Sequence, residues 1–180
     1  MGCSKTKNDE KEEQVPIWLF TENSTKQEVE AILKNKHIFS HENDTIINNE
    51  TLTYFLNIDH NLIEYLGIKW DSYLIGFVND SIKAVVLTTS PLDETLNPKT
   101  VPSGIDELTN KLDNLYGSHQ FKDLGTTNNI REYEWKKENV NIKLNISDVV
   151  SKNDMLGLEF TTMDSNELAD KFQFISITEL

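Results

Sequence analysis

The sequence predicts an α+β fold built from two similar halves, each a helix followed by antiparallel strands, with the helices on one face of a sheet. Three observations carry this reading. Two stretches repeat apolar residues at three- and four-residue steps, several others alternate apolar and polar residues, and the proline-bearing segment Ser90–Pro102 separates the two sets. The halves fall at about residues 17–90 and 102–180 of a domain spanning 15–180.

Taken in chain order, residues 4–14 contain no apolar side chain, so burial cannot offset their ordering entropy. Residues 1–14 read as a flexible tether, and the folded body is expected to begin near Val15-Pro16-Ile17-Trp18. Ser24 and Gln27 form a capping-box pattern ahead of Val29, Ile32 and Leu33, which predicts a helix over Glu28–Lys34. Leu52–Ile58 is a strand candidate, and Leu62–Ile68 is ambiguous between helix and strand. Tyr73–Val78, a turn at Asn79-Asp80-Ser81, and Ile82–Thr89 make a hairpin. In the second half, Ser103 and Asp106 form a capping-box pattern, Ile105, Leu108, Leu112 and Leu115 make one stripe, and Gly117 suits a left-handed cap. A helix over Gly104–Tyr116 follows. Arg131–Trp135 alternates with Tyr133 and Trp135 on one face, Asn141–Ile146 alternates likewise, and Leu156, Leu158 and Phe160 mark a third strand. The phase of Trp135 places it in the core. A short helix is expected around Asn166–Lys171.

Composition narrows the function classes. The 180 residues carry 17 Lys and Arg against 30 Asp and Glu, a net charge of −13. No basic stripe exists to neutralise phosphates, which argues against nucleic acid as a partner. No stretch approaches the ~20 apolar residues of a membrane span. The single cysteine is Cys3, so no disulfide can form within the chain.

That cysteine sits in an informative place. Gly2-Cys3-Ser4 followed by a charged linker resembles the start of a mature bacterial lipoprotein, in which a removed signal peptide leaves a lipid-bearing Cys3. The same opening also matches the acylation pattern M-G-x-x-x-[ST], through Gly2 and Thr6, with myristoyl on Gly2 and palmitoyl on Cys3. Either chemistry anchors the chain in a membrane by its N-terminus while the tether lets the body stand off.

The patterned segments Tyr73–Leu87, Leu112–Gly117, Tyr133-Glu134-Trp135 and Ile142-Lys143-Leu144 resemble tandem repeats of the β-lactamase-inhibitor-protein type, also found in small outer-membrane lipoproteins. The resemblance spans roughly residues 17–162, with Asn35 standing where the first repeat should have a glycine. It implies a binding or scaffolding module rather than an enzyme.

Other chemistry is sparsely signalled. His37 and His41 are four apart and on a helix would present two imidazoles to a metal, but a third ligand is unspecified and the run follows a helix end. His60 and Glu64 have helical pairing distance, His119 stands alone, and no nucleophile elbow or phosphate-cradling glycine loop accompanies them. No cofactor is indicated. The hairpin Tyr73–Thr89 is apolar on both faces. Its protein-binding candidates are Leu74, Val78, Val85 and Leu87, with Tyr73, Ile75 and Phe77 as the alternative face. The competing explanation is internal cover by Ile46–Ile68, through Leu52, Tyr54, Leu56, Leu62 and Leu66.

The expectation from sequence is therefore a non-enzymatic, protein-binding lipoprotein of the bacterial cell envelope. Two alternatives stand beside it. One is a small-molecule receptor or hydrolase with a pocket in segment 36–70. The other is an acylated adaptor at the cytoplasmic face of a eukaryotic membrane.

Overall fold

The structure, a computed structural model, describes residues 14–38, 40–47, 49–57, 63–89, 101–124, 130–147 and 155–163. The elements run β1 (Pro16–Ile17), β2 (Phe20–Thr21), α1 (Lys26–Asn35), β3 (His41–Ile47), β4 (Glu50–Leu56), β5 (Ile63–Tyr65), β6 (Ile68–Trp70), β7 (Ser72–Val78) and β8 (Ser81–Thr89). After these come α2 (Val101–Tyr116), β9 (Gln120–Asp123), β10 (Ile130–Lys137), β11 (Val140–Ser147) and β12 (Met155–Thr161). Eight strands form one antiparallel sheet in the order β3-β4-β7-β8-β12-β11-β10-β9. The small hairpins β1–β2 and β5–β6 stand apart from it.

This architecture overturns the expected α+β pair of helix-plus-strand halves. Strand dominates, with two helices among the described residues, and the sheet is continuous from β3 to β9. Its joint is β8 against β12, where Leu158 lies opposite Leu87 and Phe160 opposite Val85. Three strand-forming stretches escape a periodicity reading. His41–Ile47 is polar and charged along an edge, Ile63–Trp70 is broken by a tight turn at Leu66-Gly67, and Gln120–Asp123 is only four residues long.

Local chemistry explains the rest. The cap of α1 is Thr25 with Glu28, one residue beyond the expected pair. Thr25 Oγ1 accepts from the Glu28 N–H at 3.3 Å, while the Glu28 carboxylate accepts from the Thr25 N–H at 2.8 Å. Ser24 is spent on the preceding turn, accepting from the Thr21 N–H at 3.1 Å. Helix α2 starts earlier than expected and runs through Ser103, since Pro102 in a first turn lacks only a donor that has no intrahelical partner. Asn79 and Asp80 both take positive φ in the β7–β8 turn, the two-residue form that matches strand twist. The expected helix at 166–171 lies outside the described residues.

One large cluster forms the core. On the sheet it takes Phe55, Tyr73, Ile75, Val85, Leu87, Leu144, Leu158 and Phe160. Val29 and Leu33 of α1, Leu108 and Leu112 of α2, and Ile63 and Trp70 of the β5–β6 hairpin pack into it. The Tyr116 hydroxyl donates to the Pro16 carbonyl at 2.8 Å, tying α2 to β1. Burial pushes the Tyr116 hydroxyl well above the usual phenol range and raises that of Tyr65.

Candidate functional site

The registers set the two faces of the sheet. On the helix side an apolar row crosses six strands as Tyr73, Leu87, Leu158, Leu144, Tyr133 and Phe121. On the opposite side the matching row reads Glu134, Lys143, Glu159, Val86, Leu74 and Leu56. That second face is therefore ionic over β10–β12 and apolar over β8, β7 and β4.

The four residues proposed from sequence for protein binding do not share a face. Val85 lies opposite Ile75 and Leu87 opposite Tyr73, so both join the helix-side core and are fully buried. The alternative set, Tyr73, Ile75 and Phe77, is buried in that same core. Leu74 and Val78 point to the other face, yet each is only 6% exposed. The phase error arises because a hairpin's facing residues follow its turn, and here a bulge at Gly76/Phe77 shifts the count. Of segment 46–68, Leu62 lies outside the described residues. Leu52 and Leu56 extend the same face from β4, and the β5–β6 hairpin packs on the helix side. Met163 packs with Leu52 and Val78.

The histidine pair is separated by the fold. Helix α1 ends at Asn35, His37 takes φ 57° just beyond the cap, and His41 opens β3. The helical spacing that would align two imidazoles is thus lost. Among the described residues, no group of three His, Cys, Asp or Glu side chains is placed to hold a metal. Gly2, Cys3 and His60 lie outside the described residues. Segment 36–70 supplies two strands of the sheet and a hairpin that closes the core.

The sheet leaves apolar groups exposed at its β9 end. Gly117, at φ 92°, ends α2 with its N–H donating to the Asp113 carbonyl at 2.9 Å, and the chain turns directly into β9. Among the described residues β9 pairs with β10 alone, which places it at the end of the sheet. Phe121, the last ring of the helix-side row, is 52% exposed, and Leu124 beside it is 57% exposed. The Phe121 ring centre lies 5.1 Å from that of Tyr133, which stacks on Trp135 at 6.4 Å.

Beneath these rings sits an Asp–His pair. Asp113 Oδ1 lies 2.9 Å from His119 Nδ1 and accepts from the His119 N–H at 3.2 Å and from Trp135 Nε1 at 2.8 Å. A carboxylate only accepts, so Nδ1 carries the proton and Nε2 is left as the acceptor of the neutral ring. Desolvation pushes the Asp113 carboxyl up, but the hydrogen bonds from His119 and Trp135 outweigh it and hold the group below the usual carboxylate range. An Asp-oriented imidazole is a competent base only when a nucleophile or substrate proton lies within reach. Here the ring instead packs against Tyr133 at 5.2 Å and Trp135 at 5.5 Å. Its evident effect is to brace the aromatic row and the turn into β9.

On the ionic face, Lys122 pairs with Glu134 at 2.5 Å and Lys143 pairs with the same carboxylate at 3.3 Å. Hydrogen bonding from Lys122 is the main cause holding Glu134 below its usual range. Glu159, half-buried opposite Lys143, is pushed up by desolvation that Lys143 only partly offsets. The other sheet edge, β3, is differently protected: Lys26 of α1 bridges to Glu42 and, at 3.8 Å, to Asp44.

Sequence reading missed the β9 site. Asp113 and His119 are six apart across a helix end, a separation with no helical or strand periodicity, and a four-residue strand is too short to show alternation. No protein-family model, curated protein or solved structure matches the chain, so its resemblance to inhibitor-type repeats rests on sequence pattern alone.

Proposed function

We propose that the chain is a non-enzymatic protein-binding module, tethered by an N-terminal lipid in a bacterial cell envelope and docking its partner at the β9 edge. The observation that carries this is the exposure of Phe121 on β9, the last strand of the sheet among the described residues, with Leu124 exposed just after it, at the end of a row whose other members lie in or against the core. Exposed edges offer backbone donors and acceptors to an added strand, and aromatic side chains supply the apolar anchor. The position of Cys3 behind Gly2, ahead of an apolar-free linker, supports the tether.

A photo-crosslinking residue placed at position 121 in the natively expressed, membrane-associated protein tests the docking site. Position 30, exposed on α1, serves as the control. Adducts from position 121 and none from position 30 are expected. Equal yields from both positions, or none from either, refute docking at β9. Mass analysis of the N-terminal peptide tests the tether. S-diacylglyceryl Cys3 is expected, N-myristoyl Gly2 replaces the envelope reading with the adaptor, and an unmodified peptide removes the anchor.

A further inference from the structure

The β9 edge is complementary to itself. Two copies joined edge to edge by a two-fold axis perpendicular to the sheet keep their helix sides on the same side, so a helix-side residue must face a helix-side residue. With the axis at Phe121, the antiparallel register places Phe121 opposite Phe121 of the second copy. Gln120 then faces Lys122, and His119 faces Asp123. Each of those pairs lies on one side of the sheet, since Phe121 and Asp123 lie opposite Tyr133 and Arg131 while Gln120 and Lys122 lie opposite Glu134 and Glu132. No like charges are opposed, and Lys122 meets Gln120, whose amide oxygen accepts a hydrogen bond. The same register continues the apolar row, from Leu144 and Tyr133 through Phe121, into the second copy's core.

We propose that the partner at this edge is a second copy of this chain, paired through β9 in the register centred on Phe121, to give one sixteen-stranded sheet. This rests on the reading of β9 as a protein-docking edge. A four-residue ladder with one aromatic pair is a small interface, so association is weak and concentration-dependent. Each copy carries −13, and this long-range repulsion opposes pairing while the ladder itself is short-range. Added salt therefore strengthens the dimer, the reverse of an assembly held by ion pairs. A membrane tether on both copies raises their effective concentration.

Light scattering on the full-length protein, over a concentration series at low and high salt, tests the pairing. The expected result is a mass rising from one to two chains with concentration, at lower concentration in high salt. Phe121→Glu and Phe121→Lys each place like charges on the axis, and each alone is expected to stay at the mass of one chain. Mixed in equal amounts, they are expected to recover the two-chain mass, because Glu then faces Lys across the axis. Phe121 is more than half exposed, so both variants should keep the thermal midpoint of the parent, and a circular dichroism melt checks this. A parent that stays at one chain throughout overturns the dimer, as does a mixture that stays monomeric while the parent dimerises. Position-121 adducts to a different protein, with a monomeric parent, leave the docking edge standing and remove only self-pairing.

Discussion

Glu159 shows how a single side chain records its position in the sheet. It sits at the border where the face opposite α1 and α2 changes from ionic to apolar, between Lys143 on β11 and Val86 on β8. Desolvation raises its pKa, with the Lys143 charge acting against that and Glu132 adding to it. The sign of the linkage follows. A carboxyl whose folded pKa exceeds its unfolded value, about 4.3 for glutamate, holds a proton in the native state that the unfolded chain has released. Stability from this group is present below the unfolded pKa and is lost as pH rises through the folded pKa. Glu159→Gln removes the titration. The thermal midpoint of the variant relative to the parent is therefore expected to increase between pH 4.5 and pH 7. A gap that stays constant or shrinks over that interval shows that Lys143 dominates the site. The Asp113 carboxyl runs the other way: its hydrogen bonds from His119 and Trp135 favour the charged form and contribute above the unfolded aspartate pKa.

At the scale of elements, turns and caps decide where the chain changes direction, and the β9 site depends on one of them. Gly117 ends α2 at φ 92°, and a Cβ built there meets nothing within 4 Å. The cost of Gly117→Ala is therefore conformational alone, about 1–2 kcal/mol for an L-residue held in the left-handed region. Urea denaturation should show that loss in the midpoint with an unchanged slope. A change below about 0.3 kcal/mol would mean the helix end relaxes into another cap at little cost. Because β9 follows this turn within three residues, the same variant should also weaken the pairing of β9 with β10. The two sheet edges differ in their polar cover: β3 exposes Ile46 but is bridged through Glu42 and Asp44 to Lys26, whereas β9 exposes an aromatic ring, Phe121, that continues the row from the core.

At the scale of the whole molecule, an eight-stranded sheet must dispose of two faces. The helices and both small hairpins close the first. On the second, Leu74 is 6% exposed despite lying opposite the helices, so that face is closed over β7 as well. Leu74→Lys puts an ammonium into this buried position and is expected to cost more than about 3 kcal/mol, enough to lower the thermal midpoint sharply or unfold the chain. Calorimetry checks this directly. A variant with the parental midpoint would mean that the side chain reaches solvent there and that the face is open to partners.

The sequence by itself determined those features that depend on neighbours a few residues away. Alternation placed β10, β11 and β12, the phase of Tyr133 and Trp135, and the burial of Trp135, while two apolar runs flanking a polar turn placed β7 and β8. Three- and four-residue steps placed both helices, and Gly117 marked the end of α2, because caps and periodicities are local physics. Tertiary structure decided the rest. Whether two sets of strands stay separate or merge depends on β8 finding β12, across residues far apart in the chain. The facing of Val85 and Leu87 depends on a register set by the β7–β8 turn and its bulge. Short or charged strands such as β9 and β3 form because a neighbouring strand supplies half of each hydrogen-bonded pair, a contribution that periodicity within one segment cannot reveal. The Asp113–His119–Trp135 contact, and with it the exposed row ending in Phe121, exists only where a helix end, a turn and a strand meet.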